Sequence, residues 1–193
     1  MLLDYGADVN APTTCGEFPV HWATQNMDIM TYLLGRGAHF SIPILGPTYW
    51  TPLHYALGIG YPKLGMVELL LKLGHKIKDF SSTKSPPLLE VLAERFENDG
   101  DSPRIFKLLL NAGADINGSC IRESINWNCT LTHLILNDAE NTIIFSALDA
   151  GADVHCPGGS DQGRTPLQAA AQRGNIEVVK ELLRRGGHQF SYC

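Results

Sequence analysis

No stretch of this sequence is apolar over the ~20 residues that a membrane-spanning helix needs, which excludes a helical membrane protein. The opening MLLDYGADVN carries no basic residue and no long apolar core, so it does not read as a secretory leader. A basic excess is missing too: the net charge of -5 argues against a nucleic-acid binder, which usually presents a basic face. The five cysteines, Cys15, Cys120, Cys129, Cys156 and Cys193, are odd in number and contain no C-x-x-C pair. That excludes a dense disulfide framework and points to reduced thiols in a cytosolic or nuclear protein. Sequons at Asn117 and Asn128, with no leader before them, read as chance rather than glycosylation sites.

Catalytic signatures are equally scarce. Gly58-Ile59-Gly60 and Gly65 miss the G-x-G-x-x-G spacing, and no G-K-[ST] occurs. They read as the end of a helix and its turn. Gly158-Gly159-Ser160 lacks the spacing of a nucleophile elbow. His155-Cys156 hints at a metal, but tetrahedral zinc needs four ligands, usually in tight pairs, and the nearest cysteine is Cys129. The pair reads instead as an exposed loop tip. No nucleophile, base and orienter can be assembled, so the expectation is no catalytic residue, no cofactor, no metal and no enzyme activity.

What is present is repetition. Thr165-Pro166-Leu167 opens a short helix: Thr165 can cap it, and Pro166 suits the first helical position. Ala169, Ala170 and Ala171 allow a neighbouring helix to come close, and Gly174 can stop the helix in a left-handed turn. Ile176, Val179 and Leu183 then share one face of a second helix, with Val178 and Leu182 beside it, and Gly186 is placed to end it likewise. Neither helix is long enough to be stable alone.

The same design begins at Phe18-Pro19-Val20-His21, Thr51-Pro52-Leu53-His54, Ser85-Pro86-Pro87-Leu88 and Thr130-Leu131-Thr132-His133. A partial copy opens the chain with Leu2, Leu3 and Gly6-Ala7-Asp8-Val9-Asn10. The closing glycines, Gly6, Gly37, Gly74, Gly113, Gly151 and Gly186, stand 31 to 39 residues apart, a period that means a stacked array. T-P-L-H, a small-residue helix, a turn, L-L-L and G-A-D-V-N together resemble the ankyrin repeat, a family with about 33 residues per repeat. The resemblance covers nearly the whole chain. It implies an all-α solenoid of helix-turn-helix units with β-hairpin or loop fingers between them. The expected division is a partial repeat at 1–17, then repeats at 18–50, 51–84, 85–127, 128–162 and 163–193.

The copies depart from the pattern in places. The turn glycine is missing between Asn26 and Met27, which predicts a tighter turn. Leu89 and Gln168 replace the motif histidine, and Leu131 stands at the motif proline. Glu97–Pro103 reads as an insertion that makes the middle units degenerate and stability uneven. The resemblance implies that His21, His54 and His133 are structural, bonding the cap and nearby backbone. Asn10 and Asn117, in L-x5-D-[VI]-N, resemble a hydroxylation pattern of some ankyrin repeats, but read better as shaping the turn after the helix.

The resemblance further implies that first helices and fingers line a concave face where a protein partner docks. Two long apolar loops carry the candidate contacts. Phe40, Ile44, Leu45, Tyr49 and Trp50 lie in one; Ile121, Arg122, Ile125 and Trp127 lie in the other. Trp and Tyr are enriched among binding hot spots. The competing expectation is that these side chains fold back on their own stack, and for Tyr49 and Trp50 partial burial is favoured. Lys72, Lys76, Lys78 and Lys84 read as a solvated face. The array shows no polar capping unit at either end, so it reads as part of a longer array or as one with frayed ends. The expected function is a monomeric, or embedded, scaffold for an unidentified protein partner, with neither nucleic acid nor membrane. The alternative is a regulatory segment acting within a larger signalling or enzymatic protein.

Overall fold

The structure is a computed structural model that describes residues 5–40, 50–74, 77, 88–94, 96–98, 100–117, 129–158 and 163–186. Its helices come in pairs: α1 (Pro19–Trp22) and α2 (Met27–Gly35), α3 (Pro52–Gly58) and α4 (Leu64–Lys72), α5 (Leu88–Glu94) and α6 (Ser102–Asn111), α7 (Thr130–Leu136) and α8 (Asn141–Asp149), α9 (Pro166–Arg173) and α10 (Ile176–Gly186). Each first helix packs on the next, α1 on α3, α3 on α5, α5 on α7 and α7 on α9; α4 likewise packs on α6, and α8 on α10. No described helix is long and apolar enough to cross a membrane.

The core runs along this stack as one cluster. Leu53, Leu57, Met66, Leu70, Leu89, Leu92, Ile105, Phe106, Leu109, Leu131 and Leu134 are fully buried. Val20, Leu53, Leu88 and Leu131 hold the same place in successive first helices, and each is buried. Burying such a side chain stabilises by roughly 1.5–3 kcal/mol, and the helices of neighbouring units that pack on one another share this one cluster. Val91, from α5, illustrates the closeness: a methyl added to Gly58 on α3 would lie 3.0 Å from it.

Among the described residues no strand is present, and the described parts of the fingers are turns. The first finger is closed by Thr13 N–H to the Glu17 carbonyl at 2.8 Å and Gly16 N–H to the Thr13 carbonyl at 2.9 Å, a turn rather than a hairpin ladder. The missing glycine before Met27 has its expected effect: a 3₁₀ turn over Ala23–Gln25 leads into Asn26, whose side chain accepts from Ile29 N–H at 3.1 Å and caps α2.

Five of the closing glycines, Gly6, Gly37, Gly74, Gly113 and Gly151, have φ of +85 to +88°. At Gly151 this lets its N–H reach the Leu148 carbonyl at 3.1 Å and the Ala152 N–H reach the Ala147 carbonyl at 3.0 Å, the paired bonds of a Schellman motif. Gly186 departs from the expectation, since α10 continues through it without a left-handed turn. Glycine tolerates either hand, and here the helical hand brings Gly186 against His155.

Gly35 and Gly151 therefore give opposite predictions. A Cβ at either would meet nothing within 4 Å. Gly35→Ala, at the last residue of α2, should stabilise by about 0.4–1 kcal/mol, chiefly by restricting the unfolded chain. Gly151→Ala should destabilise by about 1–2 kcal/mol through backbone strain alone. Urea denaturation of the two variants measures both signs.

Candidate functional site

The T-P-L-H residues build the entry to each first helix. The Thr51 N–H donates to His54 Nδ1 at 3.1 Å, and the His54 N–H donates back to Thr51 Oγ1 at 3.4 Å. Pro52 and Leu53 lie between them, buried. Thr165 and Gln168 repeat this box around Pro166 and the half-buried Leu167: Thr165 N–H to Gln168 Oε1 is 3.0 Å and the return bond is 3.3 Å. Glutamine replaces histidine there because both offer an acceptor three residues past the cap. At Phe18, which has no acceptor of its own, only half the box remains, with Phe18 N–H to His21 Nδ1 at 3.0 Å.

The fourth copy corrects the sequence reading. Cys129 stands at the N-cap position of α7, without a side-chain cap bond, so Thr130 takes the proline place, Leu131 the leucine place and Thr132 the histidine place. The Thr132 hydroxyl lies 3.3 Å from Cys129 Sγ. His133 is one residue beyond the motif position, on the site that Tyr55 occupies in α3, and burial lowers its pKa. Aligning the buried leucines, Leu53 with Leu131, would have revealed the register; matching histidines concealed it.

Asn10 and Asn117 do more than shape a turn. Asn117 donates from Nδ2 to the Gly151 carbonyl at 2.8 Å and accepts the Asp153 N–H on Oδ1 at 2.9 Å. Asn10 does the same to Gly37 and His39, at 3.1 and 2.8 Å. Each amide thus staples one finger to the next. Asp115 Oδ1 accepts the Asn117 N–H at 2.9 Å and sets its direction, as Asp8 does for Asn10.

At the first helices an aromatic cluster joins the first two pairs. His21 and Trp22 meet the Tyr55 ring edge-on at 5.2 and 6.0 Å. Trp50 also meets Tyr55 edge-on, at 5.6 Å, and stacks on His54 at 6.2 Å. The Tyr55 hydroxyl donates to Glu17. Burial, then that bond and the Glu17 charge, push the phenol above its usual pKa. Trp22 remains 61% exposed, an indole held in place by its neighbours but open to solvent.

The model for ankyrin repeats, in three copies, matches residues 1–81 and 89–191. The chain belongs to the ankyrin repeat family. It is 28% identical over 162 residues to the ankyrin repeat and KH domain-containing protein mask-1 of Caenorhabditis elegans. That match takes in 84% of this chain but 4% of the relative's length. The fold resembles the crystal structure of the human ASB11 ankyrin repeat domain, with a TM-score of 0.70 at 23% identity, over 99% of this chain and 78% of that one. Ankyrin repeats are generally protein–protein interaction modules, and no catalytic domain is evident here.

Of the expected contact residues, Phe40 and Trp50 are half-buried. The Trp50 six-membered ring lies 2.9 Å from where a Cβ on Gly58 would stand, so it folds back onto α3 of the stack. Ile44, Leu45, Tyr49, Ile121, Arg122, Ile125 and Trp127 lie outside the described residues, as do Lys76, Lys78 and Lys84; Lys72 is exposed. The reading of His155-Cys156 as an exposed tip holds for His155 but is corrected for Cys156, which is half-buried and whose thiol donates to the Pro157 carbonyl at 3.6 Å. The sequence reading did not single out Trp22 and Tyr55, although their place inside the motif, beside its histidines, sets them in this aromatic cluster.

The asparagine staple gives a direct test. Asn117→Ala should lower stability by about 1–2 kcal/mol, since two backbone groups lose their partner. Asn117→Asp should cost at least as much, because it faces the Gly151 carbonyl with a carboxylate. Equal urea midpoints for wild type and both variants would remove the staple from the account.

Proposed function

We propose that this chain is a non-catalytic recognition module that takes a protein partner on its concave face, at the first helices and finger bases. The observation that carries the reading is the exposed Trp22, set against Tyr55, which also meets Trp50. An apolar partner side chain placed on this indole would lose water there, with the Tyr55 ring already on one side of the tryptophan. Glu17, bonded to the Tyr55 hydroxyl, adds a negative rim that suits a basic neighbour of that apolar residue. The apolar fingers around Ile44, Leu45 and Tyr49, and around Ile121, Arg122, Ile125 and Trp127, would extend the same surface. The free thiols fit a reducing, intracellular setting.

The experiment is affinity capture from a lysate of the source organism, followed by calorimetry on the captured protein. Trp22→Ala should weaken binding at least 10-fold while circular dichroism stays unchanged. Leu183→Ala, 48% exposed on the outer helix α10, should leave binding intact. Full affinity in Trp22→Ala together with loss in Leu183→Ala would move the site off the concave face and overturn the reading.

A further inference from the structure

The Asn117 amide holds one finger to the next, and the residue that follows it in the chain is glycine. No other asparagine of this sequence precedes a glycine. The pairing matters chemically. A main-chain nitrogen can attack the side-chain amide carbon of the residue before it, and glycine places no Cβ in the way and leaves the backbone free to turn. Asn117 is exposed, so water reaches it. Its Oδ1 accepts the Asp153 N–H at 2.9 Å. Negative charge develops on that oxygen as a nitrogen adds to Cγ, so a donor already stands where the charge appears. Asn10 makes the same two bonds, to the Gly37 carbonyl and the His39 N–H, but alanine follows it. The two staples therefore match in bonding and differ in the neighbour that could attack.

We propose that Asn117 is a site of spontaneous deamidation, at which the chain converts its own staple into a carboxylate. The main-chain nitrogen of the following glycine gives up its proton and adds to Asn117 Cγ. The Cγ–Nδ2 bond then breaks, ammonia leaves, and a succinimide ring is closed. Water opens the ring at either carbonyl. One opening leaves aspartate; the other reroutes the main chain through the side chain and leaves isoaspartate. In total, one amide and one water give one carboxylate and one ammonium ion, with nothing oxidised or reduced. The product has no N–H for the Gly151 carbonyl, so that bond is lost. It also sets a new negative charge beside Asp115, whose Oδ1 accepts the Asn117 N–H, and next to the Asp153 backbone. Ammonia escapes into solution, so the staple opens once and does not re-form.

The test incubates the full chain at mildly alkaline pH and follows every asparagine by peptide mapping, with aspartate and isoaspartate separated by chromatography. Asn117 should lose ammonia first, while Asn10 is still an amide. The urea midpoint of the aged chain should fall to that of Asn117→Asp or below. Gly118→Ala should slow the loss by about 10-fold or more. Ala11→Gly supplies the converse: it gives Asn10 the same neighbour, and Asn10 should then deamidate as Asn117 does. Loss from Asn10 in the wild type as fast as from Asn117 would overturn the proposal. So would an unchanged rate in Gly118→Ala, or an inert Asn10 in Ala11→Gly.

Discussion

Every described helix of this protein spans only 4 to 11 residues, and that shortness governs the rest. A helix of two or three turns cannot repay the cost of ordering its own backbone. A pair of them still leaves one apolar face bare. The only way to cover that face is to set the next pair against it, so inter-repeat burial is the interaction on which the structure stands. The buried leucines at one repeating place, Leu53, Leu88 and Leu131, are the residues that this constraint demands.

Stacking by apolar contact alone would let repeats slide, because burial is non-directional. Two rails of polar bonds remove that freedom. One runs along the fingers, through Asn10 and Asn117. The other runs along the turns between paired helices. Lys63 Nζ donates to the Gln25 carbonyl at 2.7 Å, and Asn137 Nδ2 donates to the Ala93 carbonyl at 2.8 Å. Asn175 Nδ2 donates to Asn141 Oδ1 at 2.7 Å. The loop that reads as an insertion in the middle repeat belongs to this rail. Its Asp101 accepts the Leu64 N–H at 2.9 Å, at the start of α4. Its Asn98 accepts the Glu140 N–H at 2.9 Å, at the start of α8, and donates to the Asp138 carbonyl at 2.8 Å. Neither α4 nor α8 is capped by its own N-cap side chain, so a neighbour satisfies a free N–H from across the repeat boundary. The departure from the motif is thus a clamp on both neighbours.

Rigidity of this kind bears on recognition. If the proposed face takes a partner, a side chain already tied into the stack, as Tyr55 is by its bond to Glu17, has little left to order on binding. The same locking explains why the motif histidines serve the fold: His21 and His54 are buried, and each spends Nδ1 on the N–H that opens its helix.

The sequence alone determined the repeat, its period, the helix pairs and most helix entries, because these depend on bonds and contacts within a few residues. Thr165-Pro166-Leu167-Gln168 caps its helix whatever surrounds it, and five closing glycines take the hand that their helix ends require. Tertiary structure decided everything that depends on a residue about one period away. The register of α7 followed from which leucine could reach the core, not from the place of a histidine. Asn117 found its partners 34 and 36 residues on. Local pattern carries no information about such distances. They are set by how one repeat comes to rest on the next.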